Sequence, residues 1–334
     1  MIHAWRTWLA CAALVLPGAN LHALEPATLG VVINTSDPDS IAVGEYFIAQ
    51  RAIPAANVLR TAFPAGTAVM TPDDFARARA DIERHMPASV QALALAWTQP
   101  YRVGCMSVTA AFAHGYDVAY CADGCRPTPR SLYFDSDSRR PFDELHMRPA
   151  MLLAGSSVHQ AQRTIDSGVA ADDGPLTGTA YLLRTTQKAR SVRAAGFPAA
   201  LRLAQPGFRV EIRDADALEG ARDVLFYFTG VARVAGLATL RFRPGAIADH
   251  LTSNGGMLTD SPQMSSLEWL DAGATASYGT VVEPCAFPQK FPQPAIVMRR
   301  YLAGETLLEA YWKSVAMPTQ GVFIGEPLAR IALH

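Results

Sequence analysis

Residues 271–284 read DAGATASYGTVVEP, and residues 285–331 read CAFPQKFPQPAIVMRRYLAGETLLEAYWKSVAMPTQGVFIGEPLARI. The apolar run at 274–279 ends in a Gly-Thr turn and predicts a strand. A Pro-rich loop follows. Residues 294–302 and 306–315 then carry apolar side chains at helical spacing, joined at Gly304. Residues 322–324 predict a last strand, closed by Gly325, Glu326 and Pro327. Strand, loop, helix, helix and strand in that order fit the end of an α/β sheet.

The same alternation runs upstream. LGVVIN at 29–34 is a continuous apolar, β-branched run, as a buried parallel strand should be. Turn and cap residues fill 34–40, and helical spacing continues to Arg51. Further strands are predicted at 58–60, 92–97, 151–155 and 181–184. Helices are predicted at 71–85 and 156–167. FRVEIRD at 208–214 alternates as a half-buried strand, VLFYFTG at 224–230 is continuously apolar, and a short strand falls at 239–242. The predicted fold class is α/β, with mainly parallel sheet or sheets flanked by helices. Gly196, Pro198, Pro206 and Gly207 cluster at a seam. They suggest an N-terminal α/β domain at 24–200, with an irregular cysteine-containing insert at 101–150, and a C-terminal domain at 205–334, two halves of similar build.

The chain has 334 residues, half of them hydrophobic, and a formal net charge of −1. A large core is available, and a non-specific nucleic-acid binder, which needs clustered Lys and Arg, is not indicated. The group Arg184, Lys188, Arg190 and Arg193 reads as a solvated helical face. At the N-terminus Arg6 precedes an apolar run at 8–16, broken by Pro17 and Gly18, with Ala23 at a cleavage position. Residues 1–23 therefore read as a signal peptide, and the protein as exported, periplasmic or extracellular. The run is too short to cross a bilayer, which takes about 20 residues. No later segment is apolar enough for a transmembrane span. Cys11 lacks the surroundings of a lipoprotein cysteine.

Cys105, Cys121, Cys125 and Cys285 follow the signal segment. In an exported chain an even count favours disulfides, with three pairings open. No second close Cys or His pair accompanies the Cys121/Cys125 spacing, so no metal is predicted. The chain also lacks a P-loop, a G-x-G-x-x-G and an H-E-x-x-H, and no cofactor is predicted.

Two resemblances add to this. NTSDPDSIAVGEYFIAQRAIPAANVLR, LAWTQPYRVGCMS, RPGAIADHLTSNGGMLTDSPQMSSLEWLDAGATASYGTVVEP and GVFIGEPLAR resemble an uncharacterised family of exported proteins from bacteria carrying the exosortase sorting system. That implies a location rather than an activity. Residues 205–330 more remotely resemble gingipain-type cysteine peptidases, which implies a caspase-like fold. In that fold one strand ends in Gly-His, the general base, and the next ends at the nucleophilic Cys. Here Val231 stands at the position of the His. The next strand, read around TLRF, runs into Pro244 and Gly245 with no Cys.

The remaining candidate chemistry lies in Asp249, His250 and Ser253, with Glu283 and Cys285 after the next strand. His titrates near neutral pH and is the usual general base. Cys285 reads either as its nucleophile or as a disulfide cysteine. Ser253 sits three residues on, adjacent to His250 if the segment is helical. Gly255 and Gly256 allow a backbone to approach a ligand. Trp97, Tyr101 and Arg102 are placed to form a binding rim. Glu326 reads as structural. Two functions follow: a peptide or amide hydrolase with a non-standard site, or a non-catalytic binding or assembly protein on a degenerate peptidase scaffold. The partner in either case is a peptide or envelope component.

Overall fold

The computed structural model describes residues 24–122, 125–172 and 174–331. The signal segment read at 1–23 lies outside them. Among the described residues thirteen strands form: β1 (Leu29–Asn34), β2 (Val58–Thr61), β3 (Val69–Met70), β4 (Ala92–Leu95), β5 (Arg102–Val103), β6 (Met106–Ser107), β7 (Ala150–Leu152), β8 (Gly178–Arg184), β9 (Phe208–Asp214), β10 (Val224–Thr229), β11 (Phe242–His250), β12 (Ala276–Thr280) and β13 (Gly321–Gly325). The helices are α1 (Pro38–Arg51), α2 (Pro72–His85), α3 (Val108–His114), α4 (Pro141–Leu145), α5 (Val158–Asp172), α6 (Leu267–Asp271), α7 (Pro294–Leu302) and α8 (Leu307–Lys313).

Ten strands make one sheet in the order β2-β1-β4-β7-β13-β12-β11-β10-β8-β9. All its pairings are parallel except β12 with β13. The expected α/β class is the one observed. The closing strand β13 returns to the middle of the sheet beside β7, where Ile324 lies opposite Leu152. β8 pairs with β9 and β10, so by strand pairing it belongs with the C-terminal strands. A second sheet of β3, β5 and β6 orders part of the stretch read as irregular.

Local chemistry explains the elements. The central strands β1, β4, β10 and β12 are buried along their whole length, which their unbroken apolar or small residues permit. Asp37 caps α1 by accepting the Asp39 N–H, with Pro38 in the first turn. Thr306 and Glu309 form a capping box at the start of α8.

One element differs from its sequence reading. The short strand at 239–242 is instead the nine-residue β11, which runs on through Pro244 and Gly245 to His250. The chain at 251–266 then forms turns, not a helix. Pro244 and Gly245 fall in an irregularity of the strand, with Gly245 at φ 78°: Val224 lies opposite Phe242, the register shifts, and pairing resumes with Phe226 to Thr229 opposite Ile247 to His250.

Candidate functional site

In a parallel α/β sheet, ligands and chemistry gather at the carboxyl ends of the strands. Among those ends here are β8, β10 and β11. Asp249 and His250 are the last two residues of β11, and alternation sends their side chains to opposite faces.

Asp249 meets Arg193. Arg193 Nη2 lies 2.6 Å from Asp249 Oδ1, with side-chain exposures of 3% and 0%. Tyr311 Oη donates to Asp249 Oδ2 at 3.2 Å. Burial pushes the Asp249 carboxyl upward, while the Arg193 guanidinium and Tyr311 draw it back. Arg193 also donates to the carbonyls of Thr229 at 2.9 Å and Pro292 at 3.1 Å. It therefore fastens 3-10 helix Ser191–Leu203 to the ends of β10 and β11 and to the loop before α7. The sequence placed Arg193 on a solvated face. That is corrected: the segment folds inward over the sheet, and only 5% of Arg193 is exposed.

His250 sits on the other face, 1% exposed. Trp269 Nε1–H donates to His250 Nδ1 at 2.9 Å. With Nδ1 used as acceptor, a neutral ring carries its proton on Nε2, which has no hydrogen-bond partner. Burial, and next the charge of Arg193, lower the His250 pKa to about 3. The ring is thus neutral at physiological pH and has no free lone pair to take a proton.

Cys285 is bonded to Cys125, and Cys105 to Cys121. The reading of Cys285 as nucleophile is corrected: a disulfide sulfur is not a thiolate. Glu283 is exposed and caps this turn, accepting the Cys285 N–H at 2.7 Å. Cys285 itself adopts a left-handed backbone, φ 56°. Lys290 closes the same loop from inside. Its Nζ donates to the Arg126 carbonyl at 2.8 Å, and burial lowers its pKa to about 8 against the pull of Glu283.

Ser253 is not brought to His250 by a helix. Its carbonyl accepts from Thr280 Oγ1 at 2.8 Å. At Gly256 a Cβ would lie 2.3 Å from the Gly279 carbonyl oxygen, because the loop packs directly on β12. The end of β10 is also covered. A Cβ at Gly230 would lie 2.0 Å from the Arg190 carbonyl oxygen. The next residue, Val231, occupies the position read for the base and is 1% exposed.

Of the predicted rim, Trp97 and Tyr101 are core residues, at 2% and 0% exposure. Trp97 Nε1–H donates to the Pro100 carbonyl at 2.9 Å, and Tyr101 bonds Asp260, tying the two strand-end loops together. Glu326 is fully buried and pairs with Arg51 at 2.8 Å, bracing α1 against the end of β13. A cavity of about 410 Å³ lies between the 192–199 segment and the 288–296 segment, with Arg193 in its lining. Among the described residues, no three His, Cys, Asp or Glu gather as a metal site. No described helix is long and apolar enough to cross a membrane.

Sequence reasoning missed Arg193, Trp269 and Tyr311. Each acts across more than fifteen residues of chain, and no local pattern marked them.

A large, mostly parallel sheet flanked by helices defines an α/β fold. No family model and no curated protein matches the sequence. Solved structures do. One titled "Structure of Protease" is 11% identical with a TM-score of 0.50, covering 92% of this chain and 78% of that one. A complex of the Porphyromonas gingivalis RgpB pro- and mature domains is 10% identical with a TM-score of 0.47, covering 91% and 80%.

Proposed function

We propose that this chain is an exported, non-catalytic binding or assembly protein of the cell envelope, built on a peptidase-like scaffold. The carrying observation is the buried pair Arg193–Asp249 at the carboxyl end of β11. A catalytic carboxylate or base must reach substrate, whereas this carboxylate is spent on a guanidinium and a phenol within the core. The other candidates support the same reading. Cys285 is in a disulfide, His250 is tied to Trp269 through Nδ1, and Val231 fills the strand end. The setting we propose is that of the exosortase-associated exported proteins whose motifs the sequence resembles.

The test is direct. The folded protein is incubated with a quenched-fluorescent peptide library and, separately, with a peptidyl chloromethyl ketone and iodoacetamide. No cleavage and no adduct on His250 or Cys285 is the expected result. Turnover that disappears in His250→Gln overturns the proposal.

A further inference from the structure

A second cavity of about 410 Å³ opens between α2, α3 and the 142–148 segment. Its lining combines apolar Ile82, Met86 and Phe112 with the charged or polar Arg79, Glu83, His146 and Arg148. This volume falls within the roughly 300–1,000 Å³ of small-molecule sites.

Arg148 is the unusual member. Only 8% of the residue is exposed. Its guanidinium lies over the Phe142 ring, 3.4 Å from the centroid, and Nε donates to the Val90 carbonyl at 2.9 Å. Stacking fixes the guanidinium plane while leaving the in-plane N–H donors available. Among the described residues neither Nη group has a hydrogen-bond partner and no carboxylate pairs with Arg148. Buried charges are ordinarily paired. Desolvation accordingly holds the Arg148 pKa below arginine's ordinary value; Glu83 and Asp143 offset this in part and Arg79 adds to it.

The neighbouring charges are already matched. Arg79 Nε pairs with Glu83 Oε1 at 2.8 Å, and Asp143 is engaged by Arg140 and Gln91. One positive charge is left to the cavity, together with a planar pair of donors and an apolar floor. A singly charged, planar, two-oxygen acceptor satisfies all three.

We propose that this cavity binds a small organic carboxylate with an apolar body, its two oxygens on the Arg148 Nη groups and its apolar part against Ile82, Met86 and Phe112. A free carboxylic acid and the C-terminal residue of a peptide share that chemistry. The site stands apart from the sheet-end residues and does not depend on whether they catalyse.

Calorimetric titration of the folded protein tests this, with hexanoate as probe and hexanol and hexylamine as controls. Hexanoate is expected to bind at least about tenfold more tightly than either, since a charge-assisted pair separates them. Arg148→Met should abolish that preference, and Arg148→Lys, which keeps the charge without the fork, should weaken it. Because Arg148 also holds the Val90 carbonyl, Ala88→Phe provides a second variant. Ala88 is exposed and lines the cavity, so the larger side chain blocks entry without touching the core. Loss of hexanoate binding with unchanged thermal melting supports the proposal. A dipeptide bound more tightly with a free C-terminus than as its amide assigns a peptide source; hexanoate binding without that difference assigns a free acid. Equal affinity for hexanoate and hexanol, or full hexanoate affinity in Ala88→Phe, overturns the site.

Discussion

Arg193 and Asp249 meet at 2.6 Å with both side chains removed from solvent, and the same guanidinium holds the carbonyls of Thr229 and Pro292. Four segments distant in sequence converge on one cation: the 191–203 segment, the ends of β10 and β11, and the loop before α7. Removing one partner leaves a buried charge uncompensated, at a cost of about 3–5 kcal/mol. Asp249→Asn and Arg193→Met should each destabilise by that order in urea denaturation. The pair Arg193→Met/Asp249→Leu should lose less than the sum of the singles, because no orphan charge remains. Additive losses would show that the two residues act independently.

Acid should destabilise the fold above the pH at which carboxylates titrate. The folded-state pKa of His250 is lowered to about 3 and that of His114 to about 4, both by burial first. An unfolded His binds a proton near pH 6.5. Below that pH the unfolded chain holds more protons than the folded one, so stability falls as pH falls, from about 6.5 down to those values. Each group contributes up to about 1.4 kcal/mol per pH unit in that window. Urea unfolding at pH 7 and pH 5 measures the difference, and His114→Phe should reduce the slope. Equal stability at the two pH values would contradict the neutral, buried assignment.

The packing of the 191–203 segment on β10 can be probed at Gly230. A methyl group there meets backbone, the Arg190 carbonyl oxygen at 2.0 Å, so no side-chain rotation relieves it. Gly230→Ala should cost roughly 1–3 kcal/mol or more, the range for overpacking. Amide exchange at 185–195 should rise above that of the rest of the sheet. Unchanged exchange there would mean the segment is not seated on Gly230.

The disulfide Cys125–Cys285 spans 160 residues of sequence. Loop closure of that length stabilises by constraining the unfolded chain, typically by about 2–5 kcal/mol. Cys125→Ser/Cys285→Ser should lower stability by that order and free the Glu283–Lys290 loop. Non-reducing peptide mapping should recover the 125 and 285 peptides as one linked species. Recovery of a Cys121–Cys125 link would reassign both pairs.

Periodicity was enough for most of the sheet. β1, β10 and the closing strand carry their burial pattern in their own residues, since a strand buried on both faces must be apolar throughout. Pro244 and Gly245 look like a stop in the sequence, but they form an irregularity within β11, and pairing with β10 resumes beyond them at Ile247. The candidate site was legible only as residue types. Asp249, His250, Ser253, Glu283 and Cys285 were named, but their chemistry rests on partners 12 or more residues away for all but Glu283.

By itself the sequence determined the α/β class, the apolar strands and the capped helices. These are properties of short windows, set by backbone propensity and burial. Only the tertiary structure decided that β11 reaches His250, that Cys285 pairs with Cys125, and that Arg193 turns inward to Asp249. It also decided that Arg148 faces a cavity without a counter-ion. Pairing, burial and pKa depend on which groups the fold brings within a few ångströms, and that proximity is not encoded in any one window.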